Sequence, residues 1–458
     1  MNPEGKVRFA LINPTAELWK VKEGTGPSSK SKFFRFSMLP SLYVCASMPD
    51  WVIPRIIDED VEPIPMDLED DLVGISFMTY NAGRAYELGD HFKSRGKTVI
   101  FGGYHPTFMP NEALPHCDSI CMGEAEVSVP KMMEDWKKGE LKPIYRSGRI
   151  DLKNLPVPDR NLLKRKAYIM PNAVNATRGC PNNCDFCSVS KFFEHRHMKR
   201  PIMKVINEIK TLKGKYFIFV DDNLTVDRDY ALKLFEKLTP LRKIWFGQTS
   251  ISIAKDEELL GAAYRSGARA FFIGLESLSQ KTLNKSNKGF CKADEYRKYV
   301  KTLHEHGIFI MASVVFGWDD DKRDVFERTL NFLKETNIDN LQATIYTPFP
   351  GTDLNKRLKE EGRLIDETCT KYDFSHAVFD PKNMTKDELE QGFSYVMDEF
   401  YSYPSMIRRA LRQLGYGSIW HGVRLSFALS AGYRNRVKAK DFGKKAKIHR
   451  DKMKKGPR

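Results

Sequence analysis

Long apolar runs are missing from this chain of 458 residues. No stretch of 18 apolar residues occurs, so no transmembrane helix is expected. The opening, Met1 to Ala16, reads as a strand and lacks the apolar core of a signal peptide. Cysteine is sparse, and five of the eight (Cys45, Cys117, Cys121, Cys291 and Cys369) are scattered without staple-like spacing. That argues against a disulfide framework and for a reducing cytoplasm. Acidic residues run short at one end. Residues 431–458 hold 12 Lys/Arg against two Asp, whereas 1–430 hold 62 basic and 57 acidic residues. The net charge of +15 is therefore mostly a property of the tail. Such a terminus reads first as a solvated, partly disordered end. Contact with an anionic membrane surface is the alternative, making the protein peripheral to a membrane. Contact with RNA is a further alternative, though nucleic acid is not the expected partner.

What is present supports a folded protein of two or three domains: 41% hydrophobic and 12% aromatic residues over a length too great for one core. Residues 1–145 alternate strands and helices. Strands are expected at Val7–Pro14, Val52–Asp58, Leu72–Phe77, Val99–Gly103 and Ser119–Met122. Pro54 places the second of these at a sheet edge. Helices are expected near Leu39–Ser47 and at Ala82–Ser94. The alternation predicts a Rossmann-like, doubly wound parallel sheet. Residues 146–170 form a linker rich in proline and basic residues. From 171 to 385 the alternation restarts. Strands at Ala173–Thr177, Tyr216–Asp221, Ile244–Thr249, Ala268–Gly274, Ile308–Phe316 and Leu341–Thr347 predict an open, partial (β/α)6 TIM-type barrel. Residues 386–458 read as helical with a basic tail. Within them 404–430, including Ile419-Trp420 and Leu425-Ser426-Phe427, is suited to capping the barrel or lying on a membrane.

Three cysteines do cluster: Cys180, Cys184 and Cys187, in a C-x3-C-x2-C run with Phe186 before the last. Three thiolates on one loop can hold three irons of a 4Fe–4S cluster and leave the fourth iron open to a ligand. A zinc knuckle is the rival reading, since His195 and His197 follow closely. A disulfide with a spare thiol is another.

The spacing resembles the signature of the radical S-adenosylmethionine (radical SAM) superfamily. Gly274-Leu275-Glu276-Ser277 at a strand end resembles that family's ribose motif. Ala312–Gly317 is similar to its fifth strand, expected to flank adenine, and Thr347-Pro348-Phe349-Pro350-Gly351-Thr352 resembles a PxPGT segment of one branch. That branch carries an N-terminal cobalamin-binding domain. Val73–Ser76, Gly102–Thr107 and Gly123–Glu126 resemble its loops. The resemblance implies a 4Fe–4S cluster on Cys180, Cys184 and Cys187. It places Phe186, Asp222, Gln248, Gly274, Glu276, Ser277 and Ser313 around SAM. It places Ser76, Thr79, Gly102, Gly103, His105, Thr107, Gly123 and Glu124 around cobalamin. Asp221-Asp222-Asn223 is either part of that SAM site or a helix N-cap. The D-x-H-x-x-G loop of many cobalamin domains is absent, Asn13-Pro14-Thr15-Ala16-Glu17 standing there instead. No histidine of that motif is therefore expected on cobalt.

The resemblance implies a cobalamin-dependent methylase of an unactivated carbon in a small molecule or lipid. Its electrons would come from a donor such as flavodoxin or ferredoxin. The rivals are radical cyclisation or rearrangement without methyl transfer, and a non-enzymatic membrane- or RNA-binding protein with a structural metal.

Overall fold

The computed structural model describes residues 6–16, 37–148, 150–413, 427, 429–435 and 442–454. Strand β1 (Val7–Asn13) shows how the N-terminal half is assembled. Its side chains alternate between two faces. Ala10 and Ile12 pack with Ala82, Ala85, Leu88 and Phe92 of the helix Ala82–Ser94, a set spaced at the helical period. Phe9 and Leu11 pack on the other face with Leu42 and with Val129, Met132 and Met133. Both faces are covered, as parallel sheets require. The sheet is wholly parallel, in the order β2 (Val52–Asp58), β1, β3 (Leu72–Ser76), β4 (Thr98–Gly102), β5 (Ser119–Met122), β6 (Ile144–Arg146). Pro54 lies in β2, an edge strand. Strand β6, only three residues long, has no expectation from the sequence and carries the sheet to Arg146.

The expected strand Ala173–Thr177 is two pieces, β7 (Ala173–Val174) and β8 (Thr177–Arg178). Asp221 is the reason. Its carboxylate accepts hydrogen bonds from Ala176 N, Thr177 N and the Thr177 hydroxyl, so a side chain replaces the ladder partner there. Released from the main sheet, β8 pairs antiparallel with β9 (Met198–Lys199). The main sheet runs β7, β10 (Tyr216–Phe219), β11 (Ile244–Thr249), β12 (Ala268–Glu276), β13 (Phe309–Phe316), β14 (Asn340–Ile345), all neighbours parallel, with β8 and β9 set apart from it. Strands β7 and β14 are its edges, so the barrel is open.

The segment between the sheets is pinned to the molecule. Leu152 and Leu155 are buried with Leu39 and Tyr43. Arg160 shares the carboxylate of Glu208 with Arg200, all three buried. The Tyr168 hydroxyl donates to Asp58 at 2.7 Å.

The basic end departs from a solvated tail. Residues Phe442–Lys454 form a helix whose Lys445 pairs with Glu390 and whose Arg450 pairs with Asp398 and Glu399 of the helix Lys386–Phe400. Phe442 stacks edge-on against Phe393. Acidic partners on the body thus absorb part of the tail's charge. Ile419, Trp420, Leu425 and Ser426 lie outside the described residues. No helix among the described residues is long and apolar enough to cross a membrane.

Candidate active site

The three clustered cysteines follow β8 directly. Gly179 has φ +79, and a Cβ there would sit 2.2 Å from the carbonyl oxygen of Arg196, so the turn into Cys180 needs glycine. The Gly179 N–H donates to Asp222 at 2.8 Å. Cys187 N donates to Cys184 O at 3.1 Å, which curls the loop. Cys180, Cys184 and Cys187 line one cavity of about 210 Å³, together with Asp222, Gln248, Gly274, Glu276 and Lys288. Burial pushes the Cys184 thiol up to about 12 and raises Cys180 as well. A bound metal would displace these protons. Ser190 and Asn223 also line this cavity, and their Oγ and Oδ1 are buried without a hydrogen-bond partner among the described residues. Three soft donors and orphaned polar atoms fit an iron–sulfur cluster with an open iron. His195 and His197, the residues that suggested zinc, do not line the cavity.

Opposite the thiols, β12 ends in an irregular turn. Glu276 adopts φ +59, a left-handed conformation costly for a residue other than glycine. The ladder between β12 and β13 shifts register there. Lys288 Nζ donates to Glu276 Oε1 at 2.6 Å and the Ser313 hydroxyl donates to Oε2 at 3.2 Å. Burial works against the Lys288 ammonium, but its neighbours, Glu276 foremost, together hold that group above its ordinary pKa.

Of the seven residues expected around SAM, Phe186, Asp222, Gln248, Gly274 and Glu276 line the cavity. Ser313 reaches it only through Glu276. Ser277 instead accepts from Ser279 N at 3.2 Å. Asp221-Asp222-Asn223 is not a helix N-cap: Asp227 caps the helix Arg228–Leu238. Lys288 carries no motif, and only the fold sets it beside Glu276.

Of the eight residues expected around cobalamin, Ser76, Gly102, Gly103 and Gly123 line a cavity of about 60 Å³ at the strand ends of the first sheet, with Gly74 and Ala125. A Cβ on Gly102 would meet nothing closer than 3.8 Å, so the missing side chain leaves open space. Large apolar side chains, Phe9, Leu11, Met132 and Met133 among them, also line this cradle, and a Cβ on Gly103 or Gly123 would sit 2.6 Å from Phe77 O or Ser147 Oγ, so those two glycines are closed by the fold itself. The other four do not line it. His105 is 1% exposed, with Nδ1 3.2 Å from the Thr79 hydroxyl and Nε2 2.9 Å from the Tyr86 hydroxyl. Thr107 donates to Gly103 O and accepts from Gly123 N, tying two loops of the cradle together. Glu124 is taken up by Arg178. These side chains shape the loops from behind, where their polar atoms are satisfied within the fold.

Arg178 joins the two sites. Two residues before Cys180, it donates to Glu124 at 3.0 Å and to Glu126 at 2.6 Å, and its guanidinium lies 4.9 Å from the Tyr43 ring centroid. Phe192, after the cysteine loop, stacks on Tyr104 at 4.4 Å. Gly351, in the turn after β14, abuts Phe108 so closely that a Cβ would sit 2.2 Å from that ring.

Comparison with known proteins agrees with this architecture. Residues 174–333 match the radical SAM superfamily, 53–132 the B12 binding domain, and 352–423 a domain of unknown function. The chain is 29% identical over 418 residues to the bacteriochlorophyllide d C-12(1)-methyltransferase of Chlorobaculum tepidum, covering 89% of this chain and 90% of that one. It is 26% identical over 353 residues to the anaerobic magnesium-protoporphyrin IX monomethyl ester cyclase of Cereibacter sphaeroides, covering 69% and 57%. Its fold is similar to that of the radical SAM methyltransferase TsrM from Kitasatospora setae, a structure with cobalamin and a 4Fe–4S cluster bound. That match has TM-score 0.63 and 12% identity and covers 78% of this chain and 75% of that one. With both domains matched in the order the two sheets show, this chain carries a B12-binding domain followed by a radical SAM domain.

Proposed function

We propose that this protein methylates an unactivated carbon of a small-molecule substrate, using a 4Fe–4S cluster, SAM and cobalamin. The observation that carries the reading is the Arg178 bridge, which fixes a three-thiol cavity against the cradle of the first sheet within one chain. In this reading Cys180, Cys184 and Cys187 hold the cluster, and Glu276 receives the SAM ribose hydroxyls. Asp222 holds the cysteine loop through Gly179. Gly102, whose missing side chain leaves open space, lets cobalamin lie against backbone. When bound, cluster and SAM supply a radical able to abstract hydrogen from carbon, and cobalamin supplies a methyl group. The protein's own work is to orient the partners and keep water from them. An electron donor such as flavodoxin or ferredoxin completes the scheme.

Two SAM should be consumed per turnover, one giving 5′-deoxyadenosine and the other S-adenosylhomocysteine. Product analysis by mass spectrometry with the true substrate decides this. 5′-Deoxyadenosine without S-adenosylhomocysteine or a methyl gain would favour cyclisation, the activity named for the relative from Cereibacter sphaeroides.

Two further outcomes test the site. Glu276→Gln should weaken SAM binding by about 1.5–3 kcal/mol, the scale of a hydrogen bond to a charged group. Isothermal titration measures it, and unchanged affinity removes Glu276 from the SAM site. Because the D-x-H-x-x-G loop is absent and His105 is buried with both nitrogens engaged, the cob(II)alamin form should lack a protein nitrogen on cobalt. Its electron paramagnetic resonance spectrum should be the same in His105→Ala. Nitrogen splitting that vanishes in the variant would overturn this.

A further inference from the structure

The inner face of the second sheet carries apolar side chains that the sheet's own helices do not cover. Phe217, Trp245 and Ile273 are buried in the main core on the side of the helices. The intervening residues, among them Ile218, Phe246, Ala270, Phe272 and Met311, line a cavity of about 420 Å³. Closed barrels fill this space with layered side chains. Here Ile218, Ala270, Phe272 and Met311 remain partly exposed. The volume falls within the range of ligand pockets, about 300–1,000 Å³.

Two features define what this cavity can take. No charged side chain is among the described residues lining it, and its polar groups are few. Of these, Asn340 accepts from the Ser430 hydroxyl at 3.0 Å and Gln342 from the Tyr433 hydroxyl at 3.4 Å. An ionised group placed here would lose its hydration without gaining a partner. Secondly, Gln248 and Phe272 line both this cavity and the three-thiol cavity, so the two adjoin. Leu429 and Tyr433 close the side next to β14, with Tyr433 stacked on buried Tyr401 at 5.0 Å. Met170, packed with Ile244 and Phe246, closes the side next to β11.

We propose that this cavity receives an uncharged hydrocarbon portion of the substrate, a ring system or branched chain, and that Leu429 and Tyr433 set how far it reaches. The proposal rests on reading the three-thiol cavity as the place of reaction. The hydrocarbon lies along Phe272 and Met311, and the reactive carbon stays at the boundary marked by Gln248.

The test uses N-phenyl-1-naphthylamine, an uncharged apolar fluorophore, titrated into the full-length, anaerobically reconstituted protein. Saturable fluorescence enhancement is expected. Ala270→Trp puts an indole into the space, and Met311→Gln makes its wall polar without filling it. Each should weaken the probe by about tenfold or more. Both should melt as the unaltered protein does and keep SAM affinity within about twofold, as a separate subsite implies. If Ala270→Trp does not fold, Met311→Gln alone decides. Failure of the unaltered protein to bind the probe saturably, or unchanged affinity in the folded variants, overturns the proposal. Failure of the unaltered protein to bind SAM would instead overturn the reading of the three-thiol cavity and leave the fluorescence result as it stands.

Discussion

Replacing Cys180, Cys184 and Cys187 together by alanine is expected to leave a folded chain that takes up no iron or sulfide, where the unaltered protein takes up about four irons on anaerobic reconstitution. Little packing is lost, because the three thiols line a cavity and only Cys184, at 8% exposure, is counted in the core. The turn itself is held by other groups: Gly179 on Asp222, and Ala176 and Thr177 on Asp221. The loss should therefore be one of donors and not of fold, with far-ultraviolet circular dichroism unchanged. Retention of iron and sulfide at full level would sink the assignment. Iron bound without sulfide by the unaltered protein would point back to a single-ion site.

Arg178 carries the second large effect. Arg178→Met should destabilise the protein by about 3–5 kcal/mol, because it leaves two buried carboxylates without their cation. Glu124 and Glu126 side chains are only 6% and 9% exposed. Restoring neutrality with Glu124→Gln and Glu126→Gln in the same chain should recover most of the loss, which separates stranded charge from lost packing. The pH dependence has a definite sign. Burial already raises the Glu124 pKa, and Arg178 is the main influence opposing it. Without Arg178 the folded state holds its proton to higher pH than the unfolded state does. More protons bound when folded means stability falls as pH rises above the ordinary carboxylate range. The variant's deficit should thus shrink as the medium is acidified toward pH 5. Urea unfolding at several pH values measures it, and a deficit that grows on acidification would show that the carboxylates are not the cause.

Where the sequence was legible and where it was not follows from locality. The helix Ala82–Ser94 and the strand Ile244–Thr249 have the bounds their periodicity predicts, because each buries its face through side chains within its own run. The cysteine loop was legible for the same reason, its donors lying within eight residues of one another. The break between β7 and β8 was not, since it depends on Asp221, more than forty residues on. Lys288 is one lysine among several in its run and acquires meaning only when β12 brings Glu276 within 2.6 Å. His105 and Glu124 lie in loops at the strand ends of the first sheet, but a loop motif does not say which way a side chain points. Thr79 and Arg178 settle that here. The docked basic helix was hidden for a related reason: its acidic partners, Glu390, Asp398 and Glu399, belong to another element.

Glu208 bears on how this molecule can be cut and rejoined. Its two carboxylate oxygens are divided between Arg160, from the segment joining the sheets, and Arg200, which also donates to the Tyr43 hydroxyl of the first half. A barrel begun at residue 171 would keep the anion and one cation and lose the rest of the buried set. Chimeras that exchange the first half for that of a relative therefore need the join upstream of Leu152, with Tyr43 and its helix treated as part of the barrel's foundation. The unit of inheritance here is larger than either sheet.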